Sequence, residues 1–142
     1  YKNIKDYTFD KVKIKIGDLE LNKNFNDNKI GLIKIDVEGF ELEVLKGLKN
    51  TIKKNFPIVI LELSFYKLNI FARTSVPDFI DSLDEFFPIL IAYDDASSEN
   101  IDISSGEQDN RFKVIHENLS KGKYPTIIGF HDQISLKNYL DN

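Results

Sequence analysis

Cysteine, methionine and tryptophan are all absent from the 142 residues, and the first absence removes the most chemistry. Without cysteine there is no disulfide, no thiolate zinc site and no thiol nucleophile, and the redox compartment stays undetermined. The glycines Gly17, Gly31, Gly39, Gly47, Gly106, Gly122 and Gly129 are isolated from one another, so nothing resembles a Gly-rich phosphate loop. No apolar run approaches the roughly 20 residues that a membrane-spanning helix needs, and the longest, Phe56 to Leu61, contains a proline. A basic segment leading into an apolar one is missing from the start, so no signal peptide is legible and a cytoplasmic location is the expectation. Positive charge is in deficit: 19 Lys and Arg against 23 Asp and Glu leave a net charge of -4. That is the wrong sign for a chain living on phosphate backbones and argues against a nucleic-acid partner. The two histidines, His116 and His131, belong to a residue type found more often at the surface than as a ligand, and are expected at the surface.

What is present suffices for a core. Hydrophobic residues make up 42%, aromatic residues 12% and charged residues 30%, which excludes disorder for most of the chain and predicts one domain or one piece of one. The chain begins at Tyr1 and holds no methionine, so a fragment of a longer product is the expectation. Val12, Ile14 and Ile16 alternate with Lys11, Lys13 and Lys15, which predicts a half-buried strand, followed by a loop over Asn22 to Lys29. Ile30 to Val37 is nearly continuous in apolar residues and predicts a central parallel strand covered on both faces. Val44, Leu45, Leu48 and Ile52 then recur at helical spacing within Phe40 to Lys54, with Gly47 expected to let that helix lie close on the sheet. Pro57 stops the helix, Ile58 to Leu63 predicts the next buried strand, and strand, helix, strand in this order predicts adjacent parallel strands. Ser75 or Val76 to Phe87, with Pro77 in its first turn, predicts a second helix, and Ile89 to Tyr93 a third strand. Asp94 to Asn110 reads as a polar loop. Phe112 to Ile115 and Thr126 to Phe130 predict a terminal antiparallel pairing, and Ser135 to Leu140 a short helix. The whole is an α/β fold.

In open α/β sheets ligands bind beyond the carboxyl ends of the strands, and Lys34-Ile35-Asp36-Val37-Glu38-Gly39 sets two carboxylates and a tight turn there, directly before a helix. Such carboxylates can orient a hydroxyl, accept its proton or hold a divalent metal, and helix capping with loop solvation is the structural alternative. Lys34 shares a strand face with Asp36; an ion pair with Glu62 on the neighbouring strand or a role in ligand binding are its two readings. Tyr93, Asp94 and Asp95 end a strand at the same sheet end, as loop residues or as part of a site. Ser64 to Thr74, with Phe65, Tyr66, Phe71 and Arg73, is either an acceptor pocket or a packed connection.

The run Ile33-Lys34-Ile35-Asp36-Val37-Glu38-Gly39-Phe40-Glu41, then Val44-Leu45-Lys46-Gly47, then Pro57 and Leu61-Glu62-Leu63, resembles the signature of FkbM-type methyltransferases. The likeness spans Ile30 to Leu63, extends more loosely back through Asp18, and continues past Ser64 by element order. It implies S-adenosylmethionine as cofactor and methylation of hydroxyl groups on polyketides, sugars or glycolipids. It also implies a Rossmann-like class I methyltransferase sheet, with Leu32 to Val37 as fourth strand, Ile58 to Leu63 as fifth and an antiparallel end. The acidic, Gly-rich loop that cradles the cofactor in such enzymes has no counterpart here, nor has the acid for the ribose hydroxyls, so residues 1–142 are expected to be the C-terminal part of that domain. The isolated fragment is then expected to be inactive and to self-associate through an exposed sheet edge.

On this resemblance Asp36 and Glu38 are the expected catalytic residues, with Asp36 also facing the cofactor. Glu38, Glu62 and Ser64 are expected on the acceptor side, Glu41 at the helix start, and no metal is expected. Two alternatives remain: a metal-dependent glycosyltransferase-like domain built on the Asp36 and Glu38 pair, and a non-catalytic α/β remnant or interaction module.

Overall fold

The computed structural model describes residues 10–25 and 29–141. Among them, five strands form one sheet: β1 (Leu32–Ile35), β2 (Ile58–Glu62), β3 (Ile89–Asp94), β4 (Glu99–Asp102) and β5 (Thr126–Phe130), in the order β1-β2-β5-β3-β4. Helices α1 (Gly17–Asn24), α2 (Glu41–Gly47), α3 (Lys49–Asn55), α4 (Phe65–Lys67), α5 (Val76–Leu83), α6 (Gln108–Lys121) and α7 (Gln133–Leu140), with a π-helical turn at Leu68–Ala72, complete a mixed α/β architecture. No helix of the described residues is long and apolar enough to cross a membrane.

β1 and β2 are parallel, Leu32 opposite Ile58 and Ile35 opposite Leu61, with α2 and α3 between them in sequence, as strand, helix, strand predicts. β5 runs antiparallel between β2 and β3, and β4 pairs antiparallel with β3 at the other edge. Period-2 alternation divides the side chains between two faces. Ile35, Val59, Leu61, Leu90, Ala92 and Ile127 join Leu45, Ile52, Phe79, Leu83 and Val114 in the main core. Ile58, Ile60, Ile91, Ile128 and Phe130 face the other way, against Leu136 and Tyr139 of α7. Gly129 must lack a side chain, since a Cβ there would lie 2.5 Å from the Phe87 ring.

Several expectations are corrected. Residues 11–16 form no strand; they lie exposed, Ile14 to 95%, because alternation makes a strand only where a ladder partner exists. α1 takes in Asn22 to Asn24, the start of the loop expected at Asn22 to Lys29, of which residues 26–28 lie outside the described set. β1 is an edge strand among the described residues, and its Leu32 is 58% exposed, because the single helix α7 does not reach over it. The helix expected over Phe40 to Lys54 breaks at Leu48, and Gly47 approaches Gly17 of α1 rather than the sheet. Phe112 to Ile115 belongs to α6, whose buried residues Arg111, Val114 and Asn118 are spaced by three and four. The expected loop over Asp94 to Asn110 contains β4, a polar edge strand whose sequence carries little strand signal.

The break at Leu48 leaves α3 without a side-chain cap of its own. Buried Asp18 supplies it, accepting from the N–H groups of Asn50 at 2.9 Å and Thr51 at 2.8 Å. Burial pushes this carboxyl up, but the hydrogen bonds from Thr51 and Asn50 outweigh it, and the group titrates below the ordinary carboxylate value. Asp18→Ala is expected to cost about 1 to 2 kcal/mol in chemical denaturation. Because the folded group is the stronger acid, its contribution is complete at neutral pH and fades as pH falls through roughly 4 and below. A variant whose stability deficit did not shrink in acid would show that Asp18 acts through packing instead.

Candidate functional site

The site is built by the turn that follows β1. Glu38 has φ of 58° and Gly39 of 103°, so the chain reverses within two residues, and a Cβ on Gly39 would sit 2.7 Å from the Lys67 carbonyl oxygen. Glu41, the first residue of α2 and buried, folds back so that its Oε1 accepts from the N–H groups of Val37 at 3.3 Å and Gly39 at 3.1 Å. It thus holds the turn from beneath as well as sitting in the first turn of α2. With those N–H groups satisfied internally, the carboxylates of Asp36 and Glu38 are left facing outward.

One step past the Ile35 and Leu61 pair come Asp36 and Glu62, and the parallel register therefore brings strands β1 and β2 to an acidic end together. Carboxylate oxygens of Asp36, Glu38 and Glu62 lie within 4.8 Å of one another. Lys67 of α4 offsets this concentration of charge: its Nζ lies 2.8 Å from Glu38 and 2.7 and 2.8 Å from the two oxygens of Glu62. Hydrogen bonds to Glu38 and then to Glu62 raise its pKa, keeping the ammonium charged. The sequence reading missed Lys67, whose only local signal is its place three residues after a potential cap. Ser64 is that cap; its Oγ accepts from the Lys67 N–H at 3.5 Å and so orients the lysine.

Lys34 does not pair with Glu62. It lies on the sheet face that α7 leaves open, 68% exposed, with Asp36 at 3.6 Å. Asp94 is structural: buried, it accepts from the Ser97 hydroxyl at 2.6 Å and the Tyr124 N–H at 3.3 Å, fastening the β3 to β4 turn to the chain entering β5. Tyr93 is half-buried against the α7 face. Asp95 joins Asp36, Glu62 and Thr126 around a cleft of about 200 Å³ beyond the strand ends. Glu62 and Pro125 also border a second cleft of about 320 Å³, walled by Ser64, Phe65 and Tyr66 on one side and Asn118 and Leu119 on the other. Phe71 lines a third, with Gly39 and Phe40. His116 stacks on Phe112 on α6, and His131 packs between Phe56 and Phe87 at the opposite end of the sheet.

A parallel strand pair ending in converging acids, one of them on a glycine-pinned turn into a helix, places those acids at the carboxyl ends of the strands of an α/β sheet, where open sheets of this class bind ligands. Residues 1–97 match the family model described as the methyltransferase FkbM domain. The chain belongs to the FkbM methyltransferase domain family. No curated protein and no solved structure matches it significantly.

Proposed function

We propose that this chain carries the acceptor end of an S-adenosylmethionine-dependent O-methyltransferase acting on a hydroxyl of a small molecule, sugar or glycolipid. Beyond family membership, the observation that supports this is the convergence of Asp36, Glu38 and Glu62 at the ends of two parallel strands. The antiparallel β5, inserted between β2 and β3, supports a class I sheet with an antiparallel strand next to its parallel pair. The cleft at Asp36 suits the methyl-bearing end of the cofactor and an acceptor oxygen rather than the whole cofactor, and Asp36 and Asp95 on its rim, beside a single lysine, Lys34, suit a cationic centre. When bound, the cofactor supplies an electrophilic methyl carbon on a positively charged sulfur.

The remaining work falls to the side chains. Much of the acceleration comes from holding the acceptor oxygen in line, about 3 Å from that carbon. The hydroxyl must also lose its proton, and a positioned base is worth roughly a hundredfold to ten-thousandfold. Glu38 and Glu62 already hold the Lys67 ammonium, whereas Asp36 has only a 3.6 Å contact with exposed Lys34. Of the three clustered carboxylates Asp36 is therefore the one with oxygen atoms open to the cleft; it takes the proton, while Glu38, fixed by Lys67, and Glu62 with Ser64 orient the acceptor.

The test is transfer of a labelled methyl group from S-adenosylmethionine to a panel of sugars and hydroxylated small molecules by the intact protein. Transfer that survives chelation of divalent metal is expected. A second reading, nucleotide-sugar glycosyl transfer, draws on the spacing of the same three carboxylates, which could hold a divalent ion. Lys67 already supplies the positive charge between Glu38 and Glu62. Manganese-dependent glycosyl transfer with no response to S-adenosylmethionine would replace the first reading with the second.

A further inference from the structure

Lys67 is held from three sides. Its N–H donates to Ser64 Oγ, its carbonyl oxygen lies where a Cβ on Gly39 would meet it at 2.7 Å, and its Nζ stands 2.8 Å from Glu38 and 2.7 and 2.8 Å from the two oxygens of Glu62. An ammonium has three N–H donors, and three carboxylate oxygens stand at charge-assisted distance from it. No donor is left for a ligand. Lys34, the other lysine near the acids, has one contact at 3.6 Å and no such hold. Stability alone does not account for the arrangement, because Glu38 is 64% exposed and an ion pair that open to water adds little to a fold.

We infer that Lys67 is the resident cation of the acid cluster, a positioning residue seated where a divalent ion would otherwise bridge Asp36, Glu38 and Glu62. Oxygens of these three carboxylates lie within 4.8 Å of one another, and oxygens on opposite sides of an ion at about 2.4 Å are themselves about 5 Å apart. The spacing therefore fits a small dication, and the ammonium between Glu38 and Glu62 occupies that space instead. Both cannot be present, since an ion on the same oxygens would replace the N–H contacts and meet a positive charge within a few ångströms. Lys67 acts through the carboxylates it holds: it draws the turn after β1 and the end of β2 together and keeps metal out. Only the kinetic consequence rests on the methyl-transfer reading, in which Glu38 and Glu62 orient the acceptor.

Manganese(II) titration of the intact protein, followed by electron paramagnetic resonance, reads this without any activity. Lys67→Gln is expected to bind the ion at least tenfold more tightly than the parent, and a further Glu62→Gln to remove the gain. Lys67→Arg keeps the positive charge and is expected to bind no more than the parent. A parent that binds manganese in the micromolar range overturns the inference with no substitution needed. So does a folded Lys67→Gln that gains no binding, a gain that survives Glu62→Gln, or an equal gain in Lys67→Arg. In methyl transfer, Lys67→Gln is expected to raise the acceptor KM about tenfold and lower kcat less, because Asp36 remains while its two neighbours lose their tie. Manganese is expected to restore that KM in the variant and to leave the parent unchanged. If the ion binds as expected and no methyl transfer is found, the methyltransferase reading falls and the resident cation stands. If methyl transfer is found and Lys67→Gln changes neither KM nor manganese binding, the inference falls alone.

Discussion

Asp36→Asn is expected to lower methyl transfer by the intact protein roughly a hundredfold to ten-thousandfold, the range a positioned base contributes, while leaving the thermal midpoint unchanged. The stability half of this expectation follows from its surroundings. Asp36 is 52% exposed and its ion pair with Lys34 is long and solvated, an arrangement worth little to the fold. The activity half follows from what its neighbours are already doing: Lys67 occupies Glu38 and Glu62 at 2.7 to 2.8 Å and leaves Asp36 as the open acceptor. Glu38→Gln is accordingly expected to cost less in kcat than Asp36→Asn and more in KM, because Glu62 still anchors Lys67 when Glu38 loses its charge. Steady-state kinetics on the two variants makes the comparison. Full turnover by Asp36→Asn would remove this residue from proton transfer.

Gly39→Ala is expected to cost about 2 to 3 kcal/mol in folding stability, measured by thermal denaturation as a fall of roughly 6 to 12 °C in the midpoint. Two terms act together. The φ of 103° lies where an L side chain is strained, and the new methyl would meet the Lys67 carbonyl oxygen at 2.7 Å and its carbon at 2.9 Å. Both contacts are backbone, so relief requires moving α4 itself. That movement carries Lys67 away from Glu38 and Glu62, and activity is expected to fall with stability. A Gly39→Ala protein as stable as its parent would show that the turn can adopt another conformation at little cost.

Legibility in the sequence followed the range of the interactions. The β1 turn was readable from Asp36-Val37-Glu38-Gly39, and Ser75 with Pro77 marked the start of α5, because caps and turns are settled within a few residues. The strand expected at Val12 to Ile16 failed for the complementary reason: alternation states which face a strand would bury but does not supply its partner. Phe112 to Ile115 failed because four apolar-rich residues fit either period, and only the burial of Arg111, Val114 and Asn118 on one side of α6 decides between them.

By itself the sequence determined the acidic end of β1, the glycine after it, the amphipathic stretch beyond, and through them the family. Only the tertiary structure decided that Glu62 meets Asp36, that Lys67 rather than Lys34 balances the acids, that Asp18 caps α3, and that Asn118 borders the same site. The first set depends on backbone conformations and side-chain reach within one turn of chain. The second depends on strand register and on the packing of segments far apart in the chain, 55 residues between Leu63 and Asn118, which no local pattern encodes.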